Sequence, residues 1–313
     1  MIINEGILKA VGLRKVMLFG YKEEVEALKS VVNDETTDKA FVDWTAVVGP
    51  GIPDVKVKGQ DMTERGIFVE VPKRIEVETF ADFVRLPWED QEDDQYNILT
   101  RLSEMIGRGH KVIREVYRAN FFNLGFSTAF RTGYDGLALF STAHLLQNTY
   151  GYSFSTTNQT VVPSRGATTW SNRLATDSDL DYTSLIDAIT LLRRQYSREG
   201  NFINLKPRTL LVPPELENTA YEITKSTERP DTANRATSSI NRFGISIVCS
   251  PYLLDTDAWF LGADSHDLNF FERKSLVTKQ REAQGSWDVI VEAAQRFGTG
   301  FHDPRGWVGT PGA

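Results

Sequence analysis

The stretch "DQYNILTRLSEMIGRGHKVIREVYRAN", residues 94–120, sets the architecture of this chain, because its apolar residues return every three or four positions. That spacing keeps one face of a helix apolar for several turns. At 1.5 Å per residue the helix spans on the order of 40 Å, which is long for a globular domain. Gly107 and Gly109 each cost it about 1 kcal/mol relative to Ala, so packing must hold that turn or the helix kinks there. The apolar positions are Ile98, Leu102, Met105, Val112 and Val116.

Before this helix the sequence changes to the two-residue period of β-strands, between residues 49 and 72. A loop flanked by Gly59 and Gly66 joins two such strands into a long hairpin. The pair has too few apolar side chains to bury a core of its own, so we expect it to lie on another surface, such as that of a neighbouring subunit. Lys56 and Lys58 fit a partner contact, although alternating Lys on an exposed strand also discourages edge pairing.

An acidic run, "WEDQEDDQ", lies at residues 88–95, directly before the helical pattern. Negative charge is favoured near a helix N-terminus, where the backbone N–H groups lack partners. Paired carboxylates also suggest an acid/base dyad. Solvated charge at a helix start explains the run with fewer assumptions.

Downstream, the predicted helices and strands do not alternate regularly, which predicts an α+β fold and not a doubly wound sheet. Residues 151–176 are rich in Ser, Thr and Asn and are typical of a surface loop. A helix is predicted over residues 182–196, and another begins near Pro214. The segments "FGISIVCS", "DAWFLGA" and "SWDVIVEAAQRFG" predict further strands before a Gly-rich tail.

Composition limits the class of protein. The 313 residues carry 35 Lys and Arg against 42 Asp and Glu, a formal charge of −7, which argues against a protein whose main work is gripping nucleic acid phosphates. A single cysteine, Cys249, excludes an intrachain disulfide and a multi-cysteine zinc site. No apolar stretch approaches the roughly 20 residues that cross a bilayer, and we read no signal peptide. We therefore expect a soluble protein made in the cytoplasm.

A possible catalytic triad lies in "DGLALFSTAHLLQ", residues 135–147, which holds Asp135, Ser141 and His144. A nucleophilic Ser is usually exposed on a strained turn between glycines, and "LFSTAH" has no flanking glycine. A structural turn and strand is the simpler interpretation, and the hydrolase remains a remote alternative.

Metal and nucleotide sites have weak support. The candidate metal ligands are His266 with Asp264 and Asp267, or His302 with Asp303. No His-x-x-x-His or Cys pair accompanies them, so polar surface turns explain them better. The sequence also lacks a phosphate-binding Gly-rich loop. We expect no catalytic residue, no bound metal and no cofactor.

The ordered set of segments resembles a known family. An arm, a long hairpin, the long helix and "DGLALFSTAH" are followed by "RTLLVPPELENTAYEIT", "SPYLLDTDAWFLGAD" and the closing "HDPRGWVG". This order is similar to that of the major capsid (major head) proteins of tailed bacteriophages, specifically the Mu-like major head subunit family, which share the Hong Kong 97 phage capsid fold. The resemblance covers most of the chain from about residue 40 and is strongest from Asp135 onward.

The resemblance implies a division into an arm, an extended hairpin called the E-loop, and two domains. The peripheral domain contains the spine helix, at about residues 94–120, and the axial domain gathers around the five-fold and six-fold axes of a shell. The implied bounds are 1–48 for the N-terminal arm, 49–72 for the E-loop, 73–182 for the peripheral domain, 183–275 for the axial domain, and 276–313 for the returning strands and C-terminal tail of the peripheral domain.

The implied function is structural. The chain would self-assemble as hexamers and pentamers into the icosahedral head shell of a tailed phage, enclosing double-stranded DNA without sequence-specific binding. It would be assembled in the host bacterial cytoplasm and located in the virion, away from membranes. The residues implied to contact a neighbouring subunit are Val55, Lys56, Val57, Lys58, Ile67, Phe68 and Val69 of the E-loop.

The implied partners include a portal, decoration or cement proteins, and a scaffolding protein. Because the spine helix begins within about a hundred residues of Met1, there is little room for a built-in scaffolding segment, and we expect a separate scaffolding protein. An encapsulin-type nanocompartment, which encloses cargo enzymes in small uniform shells, is the alternative within the same fold. A compact monomer with hydrolytic turnover would instead favour the serine hydrolase.

Overall fold

A computed structural model describes residues 15–23, 26–48, 56, 58–62, 68–69, 72–92, 98–146, 169–198, 201–226 and 238–313. The strands are β1 (Asn33–Thr36), β2 (Phe41–Trp44), β3 (Val47–Val48), β4 (Phe68–Val69), β5 (Lys73–Glu76), β6 (Glu78–Leu86), β7 (His144–Leu145), β8 (Thr169–Trp170), β9 (Pro207–Val212), β10 (Ser246–Cys249), β11 (Trp259–Ala263), β12 (Asn269–Glu282), β13 (Val289–Gly300) and β14 (Trp307–Thr310). The helices are α1 (15–23), α2 (Trp88–Glu92), α3 (Ile98–Asn123), α4 (Tyr182–Arg193) and α5 (Glu217–Lys225).

The chain divides into two compact units. Unit 1 comprises residues 1–42, 75–118 and 269–299, and unit 2 comprises residues 43–74, 119–268 and 300–313. Helices and strands mix in both units, which confirms the predicted α+β class.

Unit 1 is built on a four-stranded sheet with the order β1-β12-β13-β6. β1 is parallel to β12, whereas β13 is antiparallel to β6, with Val289 opposite Leu86 and Phe297 opposite Glu78. Val291 and Ala293 of β13 pack with Ile106 of α3 and Met17 of α1 in a small apolar core. Long antiparallel strands thus give the long helix a surface along which to pack.

The spine helix confirms the sequence prediction. α3 runs without interruption from Ile98 to Asn123, and residues 93–97 lie outside the described part of the chain. A Cβ on Gly107 would overlap the carbonyl oxygen of Met17, and one on Gly20 would lie 2.5 Å from the carbonyl oxygen of Glu104. Glycine therefore lets the backbones of α1 and α3 approach closely, and this packing holds the turn that propensity alone weakens.

Unit 2 contains a second four-stranded sheet, with the order β10-β9-β11-β14. β9 supplies a run of buried apolar residues from Leu210 to Val212, as expected for a strand covered on both faces. α4 packs its buried face into the same core. Its start is fixed by a capping box in which Asp181 accepts from the N–H of Ser184 at 2.5 Å and Ser184 accepts from the N–H of Asp181 at 2.9 Å.

The C-terminal region differs from the prediction of returning strands and a Gly-rich tail at 276–313. A strand already begins at Asn269, and residues 307–310 form the buried strand β14, paired with β11. Trp307 fits against Gly262 of β11, whose missing side chain leaves room for the indole ring. Gly309 of β14 in turn approaches the rings of Phe260 and Phe140, so a glycine that composition assigns to a tail serves close packing instead. The division into an arm, an E-loop, a peripheral domain and an axial domain stays a prediction.

Candidate functional site

The predicted E-loop is described only in part. Val55, Val57 and Ile67 lie outside the described residues, while Lys56 and Lys58 are exposed. Phe68 and Val69 form β4, which pairs antiparallel with Val47 and Val48 of β3. The strand that pairs with β4 thus begins before the segment that the sequence pattern indicates.

The root of this hairpin exposes an apolar pair. Val69 lies directly opposite Val47 in the two-stranded sheet, and their exposed fractions are 57% and 61%. Directly opposed residues on one sheet face lie close enough for their side chains to touch. The pair is an apolar surface that the residues around it leave in solvent, as expected for a segment that reaches another surface.

Polar contacts fix the chain on both sides of the hairpin. Arg74 binds both carboxylate oxygens of Asp43, at 2.7 and 2.9 Å. Lys73 Nζ donates to Thr132 Oγ1 at 2.5 Å. Partial burial, together with the positive charge of Arg131, lowers the pKa of Lys73. The residues on either side of the hairpin are therefore held to the rest of unit 2 by side-chain hydrogen bonds and an ion pair.

A buried charge cluster lies on the spine helix in unit 1. The guanidinium of Arg118, which is fully buried, contacts the carboxylates of Asp34 at 2.7 Å, Glu115 at 3.1 Å and Glu26 at 3.4 Å. It also lies over the ring of Phe270, with 4.4 Å from guanidinium carbon to ring centroid. We call these five residues the Arg118 cluster, and it fixes the segment that leads into β1 against the helix.

Arg114, one turn earlier on the helix, extends the cluster. Its guanidinium donates to Glu26 at 3.0 Å and to Glu272 of β12 at 2.8 Å. Lys111 adds a contact to Glu26 at 3.1 Å. Burial acts to raise the pKa of Glu26, but Arg118, Arg114 and Lys111 outweigh it and hold that pKa below its ordinary value. For Glu115 burial outweighs the hydrogen bonds, and its pKa is raised.

The sequence pattern does not predict this cluster, because the face of the helix that it assigns to the core is not the face that the structure buries. Met105, assigned to the apolar face, is 66% exposed, while His110, Arg114 and Arg118 are buried. A spacing of four residues between these three side chains is the signal that sets them on one face. Charged residues at that spacing usually indicate a solvated helix face, so the sequence predicts that these side chains are exposed.

The candidate triad residues are only partly brought together. His144 is fully buried, with Nδ1 at 2.7 Å from Asp135 Oδ2 and Nε2 at 3.1 Å from Asn172 Oδ1. Ser141 Oγ accepts from the N–H of Ala143 at 3.2 Å. A catalytic Ser needs the second imidazole nitrogen for itself, and here that nitrogen faces Asn172.

Asn172 is the residue that organises this segment, and sequence reasoning places it in a surface loop. Its Nδ2 donates to the carbonyl oxygens of Leu139 at 2.7 Å and Pro304 at 3.2 Å. Its Oδ1 also accepts from the N–H of Ser141 at 2.9 Å. Because the amide group donates to two carbonyls, its oxygen must face His144. The site is a buried hydrogen-bond network, a structural fastening that links the 135–144 segment to the C-terminal segment of unit 2.

Electrostatics agree with a structural role for Asp135. Burial acts to raise the pKa of this carboxyl group, and hydrogen bonds from His144 and from the N–H of Leu137 outweigh it, so the pKa lies below its ordinary value. The ring of His144 stacks on Trp170, with 4.8 Å between the ring centroids. The imidazole is therefore enclosed on its face as well as at both nitrogens.

The predicted metal candidates form other contacts. Asp267 Oδ2 accepts from the backbone N–H groups of His302 and Asp303, at 3.0 and 2.9 Å. Burial lowers the pKa of His266 to about 4. Within the described ranges, no group of three or more His, Cys, Asp or Glu side chains is arranged to hold a metal ion.

The last candidate, Asp303, lies in a buried ion cluster. It binds Arg305 at 2.9 Å and Arg198 at 3.1 Å. Burial acts to raise the pKa of Asp303, and the two guanidinium groups outweigh it and lower that pKa. The carboxylate is thus held by side chains of its own unit.

Among the helices of the described residues, none has the length and apolar character needed to span a membrane.

Solved structures with the same fold are shells. The capsid of the cyanophage P-SCSP1u matches with a TM-score of 0.56 and 11% identity, over 90% of this chain and 86% of that chain. The capsid of the Myoviridae phage XM1 matches with a TM-score of 0.54 and 12% identity, over 92% of each chain. A virus-like particle from Pyrococcus furiosus matches with a TM-score of 0.53 and 12% identity, over 96% of this chain and 99% of that chain. The fold is that of phage capsid subunits.

The sequence itself assigns the family. The family model described as phage capsid protein matches residues 70–309, and the chain belongs to this family. It is a capsid protein and a structural component of a phage head. No curated protein matches the sequence. The placement in the Mu-like group stays a prediction, since the family match is to phage capsid proteins as a whole.

Proposed function

We propose that this chain self-assembles as hexamers and pentamers into the icosahedral head shell that encloses the double-stranded DNA of a tailed bacteriophage. The observation that carries the proposal is the family match over residues 70–309. The structural similarity to two phage capsids over about nine-tenths of the chain supports it.

The E-loop, residues 49–72, reaches a neighbouring subunit in this proposal. Its contact residues are Val55, Lys56, Val57, Lys58, Ile67, Phe68 and Val69. The exposed pair of Val47 and Val69 supports the idea, because apolar side chains left in solvent at the base of a hairpin gain free energy when a partner covers them. Val47 is added to the predicted contact set on the same ground.

The axial domain, residues 183–275, lies around the five-fold and six-fold axes of the proposed shell, and the peripheral domain holds the spine helix. Each subunit touches several neighbours, so contacts that are individually weak combine into a stable particle. The net charge of −7 supports a container for DNA, because a wall that does not bind phosphates lets the duplex slide during packaging.

The proposed role involves no catalysis and no cofactor. In the cluster of Asp135, His144 and Asn172 both imidazole nitrogens are engaged by buried groups, which supports a fastening role over hydrolysis. The proposed partners are further copies of the chain, a portal, a separate scaffolding protein and decoration proteins. The protein would be assembled in the host bacterial cytoplasm and located in the virion.

Sedimentation velocity tests the assembly proposal. The purified chain, alone and after co-expression with its neighbouring genes, is expected to sediment as pentamers, hexamers or megadalton particles. A homogeneous species near the monomer mass of 35.3 kDa under every condition contradicts it. An ester-hydrolysis assay on the same fractions addresses Ser141 separately.

A nanocompartment shell is the second candidate. The match to the virus-like particle from Pyrococcus furiosus favours keeping it, because there the fold is found in a particle described as virus-like. Small uniform shells that co-purify with an enzyme cargo would support this candidate. Shells of a size and content suited to a DNA genome would support the phage head.

A further inference from the structure

A groove of about 260 Å³ lies on the unit 1 sheet and is lined by residues of β6, β12 and β13. Gln295 of β13 donates to the carbonyl of His110 in α3 at 2.7 Å, and successive strand residues point to opposite faces, so Arg296 points away from the helix. Among the residues lining the groove, the cationic ones are Lys274, Lys279 and Arg296.

The groove has more cations than anions to match them. Its carboxylate, Glu292, already accepts from Arg281 Nε at 2.7 Å. Across the described ranges, Lys274, Lys279 and Arg296 form no ion pair with a carboxylate. Arg296 Nε is buried and finds no acceptor there. A buried donor without an acceptor costs free energy, and an arriving carboxylate would recover it.

The same unit carries a segment of the opposite charge. The run at residues 88–94 contains five acidic and no basic residues. Glu89 and Asp90, in the first turn of α2, are exposed and form no ion pair within the described part of the chain. Like charges packed so closely repel one another, and a cationic surface would relieve that repulsion.

The two surfaces lie apart on one chain. Thr79, which lines the groove opposite Arg296, stands near the start of β6, whereas α2 follows the end of that strand at Leu86. At the other end of the groove Glu292 lies opposite Phe83, about 10 Å of strand before Leu86, yet within the described residues of one chain Glu89 and Asp90 form no ion pair with the groove cations. Contacts between two different patches join subunits head to tail, and such contacts close into rings when the rotation allows it.

We propose that the groove of Lys274, Lys279 and Arg296 binds the acidic run, residues 89–94, of a second copy of this chain. The inference rests on the proposed shell function and deepens it by naming one pair of complementary surfaces. Individual exposed ion pairs are weak, but this contact repeats at every subunit of a ring. Its strength falls as salt screens the charges.

Charge reversal tests the contact in assembly. The double variant K274E/K279E is expected to lower the fraction of protein in shells by about tenfold, because like charges then face one another. Adding E89K/D90K/E92K/D93K/D94K to that variant reverses the whole run, restores opposite charges in every copy, and is expected to return the shell fraction to within about twofold of the wild-type value. K274R/K279R keeps the charge and serves as the matched control. Circular dichroism and thermal melting establish that each variant is folded.

A peptide assay separates this inference from the shell proposal. A synthetic peptide of residues 86–97 is titrated against the purified protein, and a peptide with Gln and Asn in place of Glu and Asp is the control. Saturable binding of the acidic peptide, about tenfold weaker to K274E/K279E, supports the contact even if no shell forms. If wild-type shells form and K274E/K279E leaves them unchanged, or if the variant protein binds the peptide equally well, the inference is wrong. It is also wrong if a short DNA duplex binds the groove and the peptide does not.

Discussion

The carboxylate of Asp135 lies 2.7 Å from Nδ1 of His144, and both side chains are fully buried. With Asn172 Oδ1 at the other ring nitrogen, the imidazole faces an acceptor on each side. Both ring nitrogens therefore face oxygen atoms of the fold, and neither is left for Ser141. The pair is a structural fastening whose strength depends on pH.

Asp135→Asn is expected to lower the free energy of unfolding by about 1–3 kcal/mol, because a buried charge-assisted hydrogen bond is lost. Urea denaturation of the unassembled protein measures the change. Ser141→Ala is the matched control, and a change of less than about 0.5 kcal/mol is expected. An equal loss in both variants, or ester hydrolysis that disappears in Ser141→Ala, would count against the structural interpretation.

The same carboxylate gives a pH dependence with a defined sign. The pKa of Asp135 in the folded protein lies below its ordinary value of 3.8, so its contribution is fully present above that value and is lost as pH falls through the lower, folded pKa. Wild-type protein is therefore expected to lose more stability than Asp135→Asn when the pH falls below about 4. Parallel melting curves of the two proteins down this range would show that His144 does not hold the carboxylate ionised.

Arg118→Met is expected to destabilise the subunit by about 3–5 kcal/mol, since it leaves buried carboxylates without their cation. Arg101→Met, an exposed position on the same helix, is the control and should change the unfolding free energy by less than about 0.5 kcal/mol. Thermal or urea unfolding followed by circular dichroism measures both. Similar values for the two variants would show that the Arg118 cluster does not anchor the segment before β1.

Two glycines of the spine helix make a matched pair. Gly109→Ala meets open space, so the higher helix propensity of Ala is expected to stabilise the protein by up to about 1 kcal/mol. Gly107→Ala places a methyl group on the carbonyl of Met17 and is expected to destabilise it by about 1–3 kcal/mol despite the same propensity gain. Denaturation midpoints of the two variants give the comparison. Stabilisation by both would mean that α1 does not pack closely on α3.

Val69→Asp is expected to leave the subunit folded and to block its assembly, because a charge then occupies the exposed apolar pair that a neighbour would cover. Val69→Thr, which keeps the shape and adds only a hydroxyl group, should assemble far better. Sedimentation velocity reports assembly, and circular dichroism reports folding. If Val69→Asp forms shells in wild-type yield, the base of the hairpin is not part of the contact surface.

Local patterns predict part of the regular structure of this chain. The spine helix, α4, α5 and the strands β9, β10, β11 and β13 all lie where periodicity or alternation places them. These segments have enough consecutive residues for one face to be recognised. β12 and β14 are not predicted, because their alternation is interrupted by charged residues or glycines and their strand character comes from pairing with distant partners.

The contacts of the candidate sites depend on long-range structure. Asn172 joins Ser141 and Pro304, which lie 31 and 132 residues away along the chain. No local pattern contains that information, and a polar residue in a Ser- and Thr-rich stretch indicates a loop. The Arg118 cluster is not predicted for the same reason, since two of its carboxylates, Glu26 and Asp34, come from the segment before the hairpin. Burial of charge becomes visible only when the partners are in place.

Electron cryo-microscopy of the particles formed by the purified chain is the decisive test of its assembly into a shell. We expect closed icosahedral shells in which five or six copies surround each axis, with density of a neighbouring subunit against Val47 and Val69. Particles without this symmetry, or subunits whose hairpin contacts only its own chain, would contradict it.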